Sequence, residues 1–212
     1  MRRALGIAYL VAALGAAEML TAQQIRVTPM VVSMSHSEIG EELEFGGTGV
    51  GLAGSYRTGR FGVFAEGMLT SLKSGDNAVT ESSYDVQLWD LRATYQLMPG
   101  LDAMVGAQAR RVRPEFEAQD VGLMRIGLAS DAKLSRLADL GVRAAWLPYS
   151  RFNGGGDAGF GFEVGLGVTV GRADARYRAL MSYDFQRIDR TVNGVDVPMQ
   201  MVIARLGFQM GF

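Results

Sequence analysis

The chain is 212 residues long, carries a formal net charge of −1 at pH 7, and contains 28 glycines and no cysteine. Charge this close to zero argues against nucleic acid as a partner, and the missing thiols exclude a disulfide framework and thiolate metal sites. The glycines are scattered rather than gathered in a linker, and no composition shift, low-complexity tail or repeat marks a domain boundary.

The first 22 residues read as a secretory leader. Arg2 and Arg3 supply the positive region, Ala4 to Ala17 an apolar core, and Glu18 to Ala22 lead to a small residue before Gln23-Gln24. This three-part pattern predicts cleavage after Ala22, with Ala17 the weaker site. The run falls short of the roughly 20 apolar residues a spanning helix needs, and no later stretch reaches that length. With no cysteine after the cleavage site, the chain is not a lipoprotein. Residues 23–212 are therefore taken as one domain.

Beyond the leader a two-residue rhythm takes over. Trp89, Leu91, Ala93, Tyr95 and Leu97 share one face against Asp90, Arg92, Thr94 and Gln96. Leu101, Ala103, Val105, Ala107 and Ala109 oppose Asp102, Met104, Gly106, Gln108 and Arg110, and Met124, Ile126 and Leu128 oppose Arg125 and Gly127. Leu140, Val142, Ala144 and Trp146 oppose Gly141, Arg143 and Ala145, and Phe162 to Val170 and Ala175 to Phe185 alternate in the same way. Helical spacing would mix these classes, so the pattern predicts strands. Short connections at Thr58–Arg60, Met98–Gly100, Ala132–Arg136 and Gly171–Arg172 alternate with longer polar ones at Ser71–Ser83, Arg113–Asp120, Pro148–Ala158 and Arg187–Pro198.

The last strand is the clearest. Val202, Ala204, Leu206, Phe208, Met210 and Phe212 form an apolar row, opposed by Arg205, Gly207, Gln209 and Gly211, with Ile203 the exception. An alternating strand that ends on a terminal Phe resembles the closing strand of bacterial outer-membrane β-barrels. Taken with the short and long turns, the mature chain is similar to small barrels of the OmpX, OmpA-barrel and OmpW type. The resemblance implies an all-β, closed, antiparallel up-and-down transmembrane barrel in the bacterial outer membrane. It also implies that Leu206, Phe208, Met210 and Phe212 form the signal read by the barrel-assembly machinery, and that outer-membrane lipids and lipopolysaccharide surround the wall.

Counting back from Phe212 gives strands near 199–212, 173–187, 159–170, 138–148, 121–131, 101–112, 84–97, 61–72 and 43–57. Nine strands would break the even number of bacterial single-chain barrels. A further strand near 24–36, with Ser37–Glu42 as a short first outer loop, makes ten. Pro29 weakens that strand because it has no ladder donor, and eight strands is the alternative count.

A soluble barrel of the lipocalin type would turn the same apolar row inward. The distribution of aromatics favours lipid outside. Tyr56, Phe61, Tyr95, Tyr177, Phe208 and Phe212 fall at the periplasmic level, and Trp146, Phe160, Phe162, Tyr183 and Phe185 at the outer level, around a band of small aliphatics. The opposing face holds Arg rather than Lys, which suits enclosed ion pairs.

Counting outward from each turn places Glu66 opposite Asp90, Asp90 opposite Gln108, and Gln108 near Arg125. Arg125 then falls near Arg143 and Arg143 near Glu163, a polar belt at mid-height on the inward face that Arg205 and Asp184 extend. It reads as a narrow channel, as a catalytic carboxylate pair at Glu66 and Asp90, or as structural ion pairs filling a small lumen; small barrels are usually filled, and the last is expected. Inward glycines (Gly49, Gly51, Gly106, Gly127, Gly165 and Gly167) leave room for long arginines or water.

His36 is the single histidine, within Ser35-His36-Ser37-Glu38. A rim His beside Ser and Glu resembles the outer-membrane lipid A deacylases, which hydrolyse esters. Ser35 and His36, however, point to opposite faces of one strand, so His36 is expected as a surface residue without a catalytic role. Gly154-Gly155-Gly156 lacks the lysine of a phosphate loop, and Asp76, Asn77, Asn153 and Asp157 are expected as solvated loop groups. No cofactor or metal is expected. The functional expectation is a non-enzymatic outer-membrane barrel with a structural or surface-interaction role. A narrow porin and an outer-membrane lipid hydrolase are the alternatives.

Overall fold

The computed structural model describes residues 24–38, 43–75, 82–113, 120–153 and 156–212. Residues 1–22, where the sequence predicts a leader, and Asp76, Asn77, Gly154 and Gly155 lie outside the described residues. Ten long antiparallel strands form a closed wall: β1 (Gln24–Glu38), β2 (Leu43–Thr58), β3 (Phe61–Ser74), β4 (Ser83–Met98), β5 (Leu101–Arg113), β6 (Val121–Lys133), β7 (Ala138–Phe152), β8 (Asp157–Val170), β9 (Tyr177–Val192) and β11 (Met199–Gly211). The two-residue β10 (Val195–Asp196) folds back on the end of β9 through Asn193-Gly194. Each long strand pairs with its sequence neighbours, and β1 closes the wall on β11.

The first strand settles the count at ten and removes the eight-strand alternative. Pro29 is accommodated at the closing seam: on the β11 side the ladder runs from Val27–Met210 to Met30–Gly207 and skips Thr28 and Pro29. On the β2 side Pro29 keeps its place opposite Leu52. Gly207 makes this close approach feasible, since a Cβ there would come within 2.6 Å of the Pro29 carbonyl oxygen. The Phe212 amide donates to the Ile25 carbonyl across the same seam at 3.0 Å.

Outward positions at mid-height are apolar and exposed, among them Val31, Leu52, Val63, Leu91, Val105, Ile126, Leu166 and Leu206. Aromatics flank them on both sides. Phe61 and Tyr95 pack 5.0 Å apart between ring centroids near the short turns, and Phe160, Phe162 and Phe185 form a chain of rings at the other level. An aliphatic band between two aromatic girdles is the surface a bilayer selects.

Nine of the ten long strands are longer than the sequence pattern suggested, and β11 is one residue shorter. They run 13 to 16 residues, whereas about 9–11 cross a bilayer. Most of the surplus lies at the long-loop side, so Ser71–Ser74, Pro148–Phe152, Asp157–Ala158 and Arg187–Val192 are strand rather than loop, and Thr58, Met98, Ala132 and Lys133 join the strands at the short turns. At the opposite side β9 starts at Tyr177 rather than near 173, because Arg172 to Arg176 make a turn closed by the Ala175 amide on the Arg172 carbonyl at 3.0 Å.

In these extensions the faces exchange character. Outward positions become polar: Ser71 and Lys73, Asp85 and Gln87, Arg111 and Arg113, Arg187 and Asp189. Inward positions become apolar and fully buried, including Leu72, Val86, Leu88, Val112, Leu147, Ile188 and Met199. These residues form two adjoining apolar clusters that fill the lumen toward the long loops. Water replaces lipid outside, so the apolar row moves inside, where burial is worth roughly 25 cal/mol per Å².

Candidate functional site

Below the apolar filling, eight charged side chains from seven strands meet in the lumen. Glu66 comes from β3, Asp90 and Arg92 from β4, Arg125 from β6, Arg143 from β7, Glu163 from β8, Asp184 from β9 and Arg205 from β11. They are linked into a ring of alternating sign. Arg205 Nε donates to Glu66 Oε1 at 2.6 Å, and its Nη1 to Asp184. Arg143 bridges Asp184 and Glu163, the latter through Nε at 3.3 Å. Arg125 Nη1 reaches Glu163 Oε1 at 3.0 Å and Asp90 Oδ2 at 2.9 Å. Arg92 closes the ring, with Nε 3.3 Å from Asp90 Oδ1 and Nη2 3.8 Å from Glu66 Oε2. Four arginines thus face four carboxylates with no net charge. Gln186 Nε2 adds bonds to Gln108 Oε1 at 3.0 Å and Glu163 Oε2 at 3.2 Å on the side of the apolar filling.

Two glycines make the ring possible by volume. A Cβ at Gly106 would come within 2.9 Å of Arg92 Cγ and 3.2 Å of Arg125 Cγ, and one at Gly165 within 2.8 Å of Arg143 Cγ. Arginine stems therefore lie across the wall at these positions instead of pointing straight into the lumen.

The structure places Glu66 opposite Asp90 and Asp90 opposite Gln108. The other ladder neighbours differ from the sequence count. Arg125 faces Gly106, not Gln108, and Arg143 faces Ala129 and Gly165 in the ladder, although its side chain does meet Glu163 as the count placed it. The β6–β7 turn is centred later than the sequence suggested, with Lys133 still paired to Asp139. A bulge follows, in which Leu147 and Pro148 both oppose Arg125; Pro148 tolerates this irregular position because it lacks an N–H. Arginine length bridges the offsets, and no like charges end up directly opposed around Arg125. Arg92 and Gln186 were missed as members of the group, although Arg92 shares the inward parity of Asp90 and was legible on that basis.

His36 departs from expectation. It is 1% exposed and points into the lumen near the end of β1. Arg110 Nη1 lies 3.0 Å from His36 Nδ1; a guanidinium only donates, so Nδ1 accepts and the ring proton sits on Nε2. That nitrogen is 3.6 Å from Glu38 Oε1, and Arg190 Nη2 donates to Glu38 Oε2 at 2.9 Å while its guanidinium stacks on Phe152. The misreading has a physical origin. At the strand's outer end the outward neighbours Ser35 and Ser37 are polar, so nothing in the sequence distinguishes the end of a strand from a loop. Ser35 faces away from His36, and the imidazole is sealed among Arg110, Glu38 and Phe45. The two ring nitrogens meet Arg110 and Glu38, not Ser35.

Of the terminal residues, Leu206, Phe208 and Phe212 are exposed on the outer face and Met210 is half-buried beside them. Among the described residues no cluster of three His, Asp or Glu side chains is arranged to hold a metal ion. Outside the spanning strands, a two-pronged hydrogen bond from Arg172, at 3.0 and 3.1 Å, holds the Asp174 carboxyl below its ordinary range.

No protein-family model and no curated protein matches the sequence. Solved structures match the fold. The outer membrane protease OmpT of Escherichia coli is 12% identical, with a TM-score of 0.52 over 90% of this chain and 96% of that one. The translocator domain of the autotransporter NalP of Neisseria meningitidis is 13% identical, with a TM-score of 0.50 over 99% and 96%. An outer membrane channel of Pseudomonas putida F1 is 11% identical, with a TM-score of 0.50 over 93% and 98%. A protease, a translocator and a channel share this wall, so the wall alone carries no activity. What the likenesses and the apolar exterior establish is a β-barrel of the bacterial outer membrane.

Proposed function

We propose that this outer-membrane β-barrel is a closed, non-enzymatic wall protein with a structural or surface-interaction role. The observation that carries the reading is the double obstruction of its lumen: a charge-balanced ring at mid-height and an apolar filling above it. An ion crossing in either direction must pass both the buried, mutually neutralised charges and the hydrocarbon, where an unpaired charge is strongly disfavoured. The burial of His36 against Arg110 and Glu38, with Ser35 on the opposite face, supports the non-enzymatic half of the reading. Strands that continue past the membrane present polar side chains such as Lys73, Asp85 and Arg111 on a rigid outer collar, a surface suited to contacts outside the cell. The partners in this reading are outer-membrane lipids and lipopolysaccharide around the wall, and the barrel-assembly machinery acting on Leu206, Phe208, Met210 and Phe212.

Planar-bilayer recording of the purified, heat-modifiable protein tests it. The expected result is no steady current. Stable, ion-selective conductance would overturn the reading in favour of a narrow conduit.

A further inference from the structure

Beneath the ring the lumen is not filled. A cavity of about 560 Å³ opens toward the short turns, a size typical of small-molecule sites. Its roof is the underside of the ring, and its wall carries an apolar stretch from Phe64, Met30 and Met104. Most of its charges are committed: Arg57 to Asp102 at 3.0 Å, Arg178 to Asp139, and Arg205 to Glu66 and Asp184.

Two arginines are held more loosely. Arg26, near the mouth, has its hydrogen bonds to neutral amides, Gln209 Oε1 at 2.6 Å and Gln24 Oε1 at 3.3 Å. Arg92, in the roof, is more than nine-tenths buried, yet its Nε makes no hydrogen bond. Its two carboxylate neighbours are each held more closely by Arg125 or Arg205, and its guanidinium lies 3.9 Å over the Phe64 ring. A buried donor whose carboxylate neighbour, Asp90 Oδ1 at 3.3 Å, lies outside hydrogen-bond geometry is costly, and an arginine stacked on an aromatic ring is a platform for a planar anionic group.

We infer that this periplasmic vestibule binds a small organic anion, a carboxylate or phosphate group on an apolar body. The anionic group is received by Arg92 and Arg26, and the body lies against Phe64, Met30 and Met104. The inference rests on the closed-lumen reading for its single entrance. It adds to that reading a ligand class taken from the periplasmic side.

Calorimetric titration of the protein in lipid nanodiscs tests it, using terephthalate and phenyl phosphate as probes and benzamide as the neutral control. Saturable binding of either anion is expected, and the one that binds identifies the head group. Arg26→Gln and Arg92→Gln should each weaken it at least about tenfold, the effect of losing one charge-assisted hydrogen bond. Arg111→Gln, on the outer face, should leave it unchanged. Should Arg92→Gln lose its heat-modifiability, Arg26→Gln decides, since that residue stands outside the ring. Absence of saturable binding up to about 10 mM, equal binding of benzamide, or unchanged affinity in Arg26→Gln would overturn the inference. A barrel that is silent in bilayers and binds no anion overturns this inference alone, whereas a conducting one overturns the closed-lumen reading.

Discussion

Leu88 and Leu91 lie three residues apart on β4, yet Leu88 is sealed inside the lumen and Leu91 faces outward, 56% exposed. The same exchange runs around the barrel. At membrane level apolar side chains point out and a ring of ion pairs points in; in the outer collar Asp85, Gln87 and Arg111 point out while Leu72, Val86 and Val112 point in. One continuous sheet is thus built for two solvents: on strands such as β4 and β5 the side-chain parity is kept from end to end and only the chemistry placed on each parity changes. The collar is held by burial from water, as a soluble barrel is. The membrane segment gains nothing comparable from its exterior and holds its interior by paired charges.

That contrast can be broken at either end. The largest effect is expected at the ring. Arg125→Met leaves Asp90 and Glu163 facing each other without their shared cation and should cost about 3–5 kcal/mol in urea unfolding from liposomes. Adding Asp90→Asn should restore much of the loss, because three arginines then face three carboxylates. In the collar, Leu72→Ala should cost ~2–5 kcal/mol by opening a cavity, and the same change at lipid-facing Leu91 should cost less, because lipid fills the space. On the exterior, Ala107→Arg should cost roughly 2–4 kcal/mol, whereas Thr48→Arg, set between Ser33 and Ser71 on the collar, should stay within about 0.5 kcal/mol of the wild type. The smallest effect belongs to the exposed turn: Arg172→Ala should leave the urea midpoint unmoved, since its pair with Asp174 is fully in water.

The sequence was easiest to read where lipid imposes a strict apolar row, from Trp89 to Leu97 and from Val202 to Phe212. It was hardest to read in the collar. There Thr70-Ser71-Leu72-Lys73 still alternates, but with the apolar residues on the opposite parity, so a search for one continuous greasy row takes the strand for a loop. His36 was lost for the same reason. Within the ring, Asp90 and Gln108 were legible because the tight β4–β5 turn fixes their register, and Glu66 because the β3–β4 ladder runs without a shift from Phe61–Tyr95 to Lys73–Ser83. The offset at Arg125 and Arg143 was not, since it depends on a later turn and on the bulge at Leu147-Pro148. No local pattern announces either one. Which arginine takes which carboxylate across the lumen is a property of the closed barrel and lies outside any single strand.

The central claim, a lumen open below the ring and sealed above it inside a wall whose outer face changes from lipid-facing to wet, can be tested by thiol accessibility. The chain has no cysteine, so each single substitution introduces the protein's only thiol. Cysteine would be placed at Thr94 and Ser182 in the vestibule, Val86 and Val112 in the apolar filling, Leu91 on the band and Thr48 on the collar. A membrane-impermeant maleimide would then be added to protein reconstituted with both sides exposed. The account predicts rapid labelling at Thr94, Ser182 and Thr48 and none at Val86, Val112 or Leu91. Labelling at Val86 and Val112 as fast as at Thr94 would show a continuous aqueous lumen and contradict it.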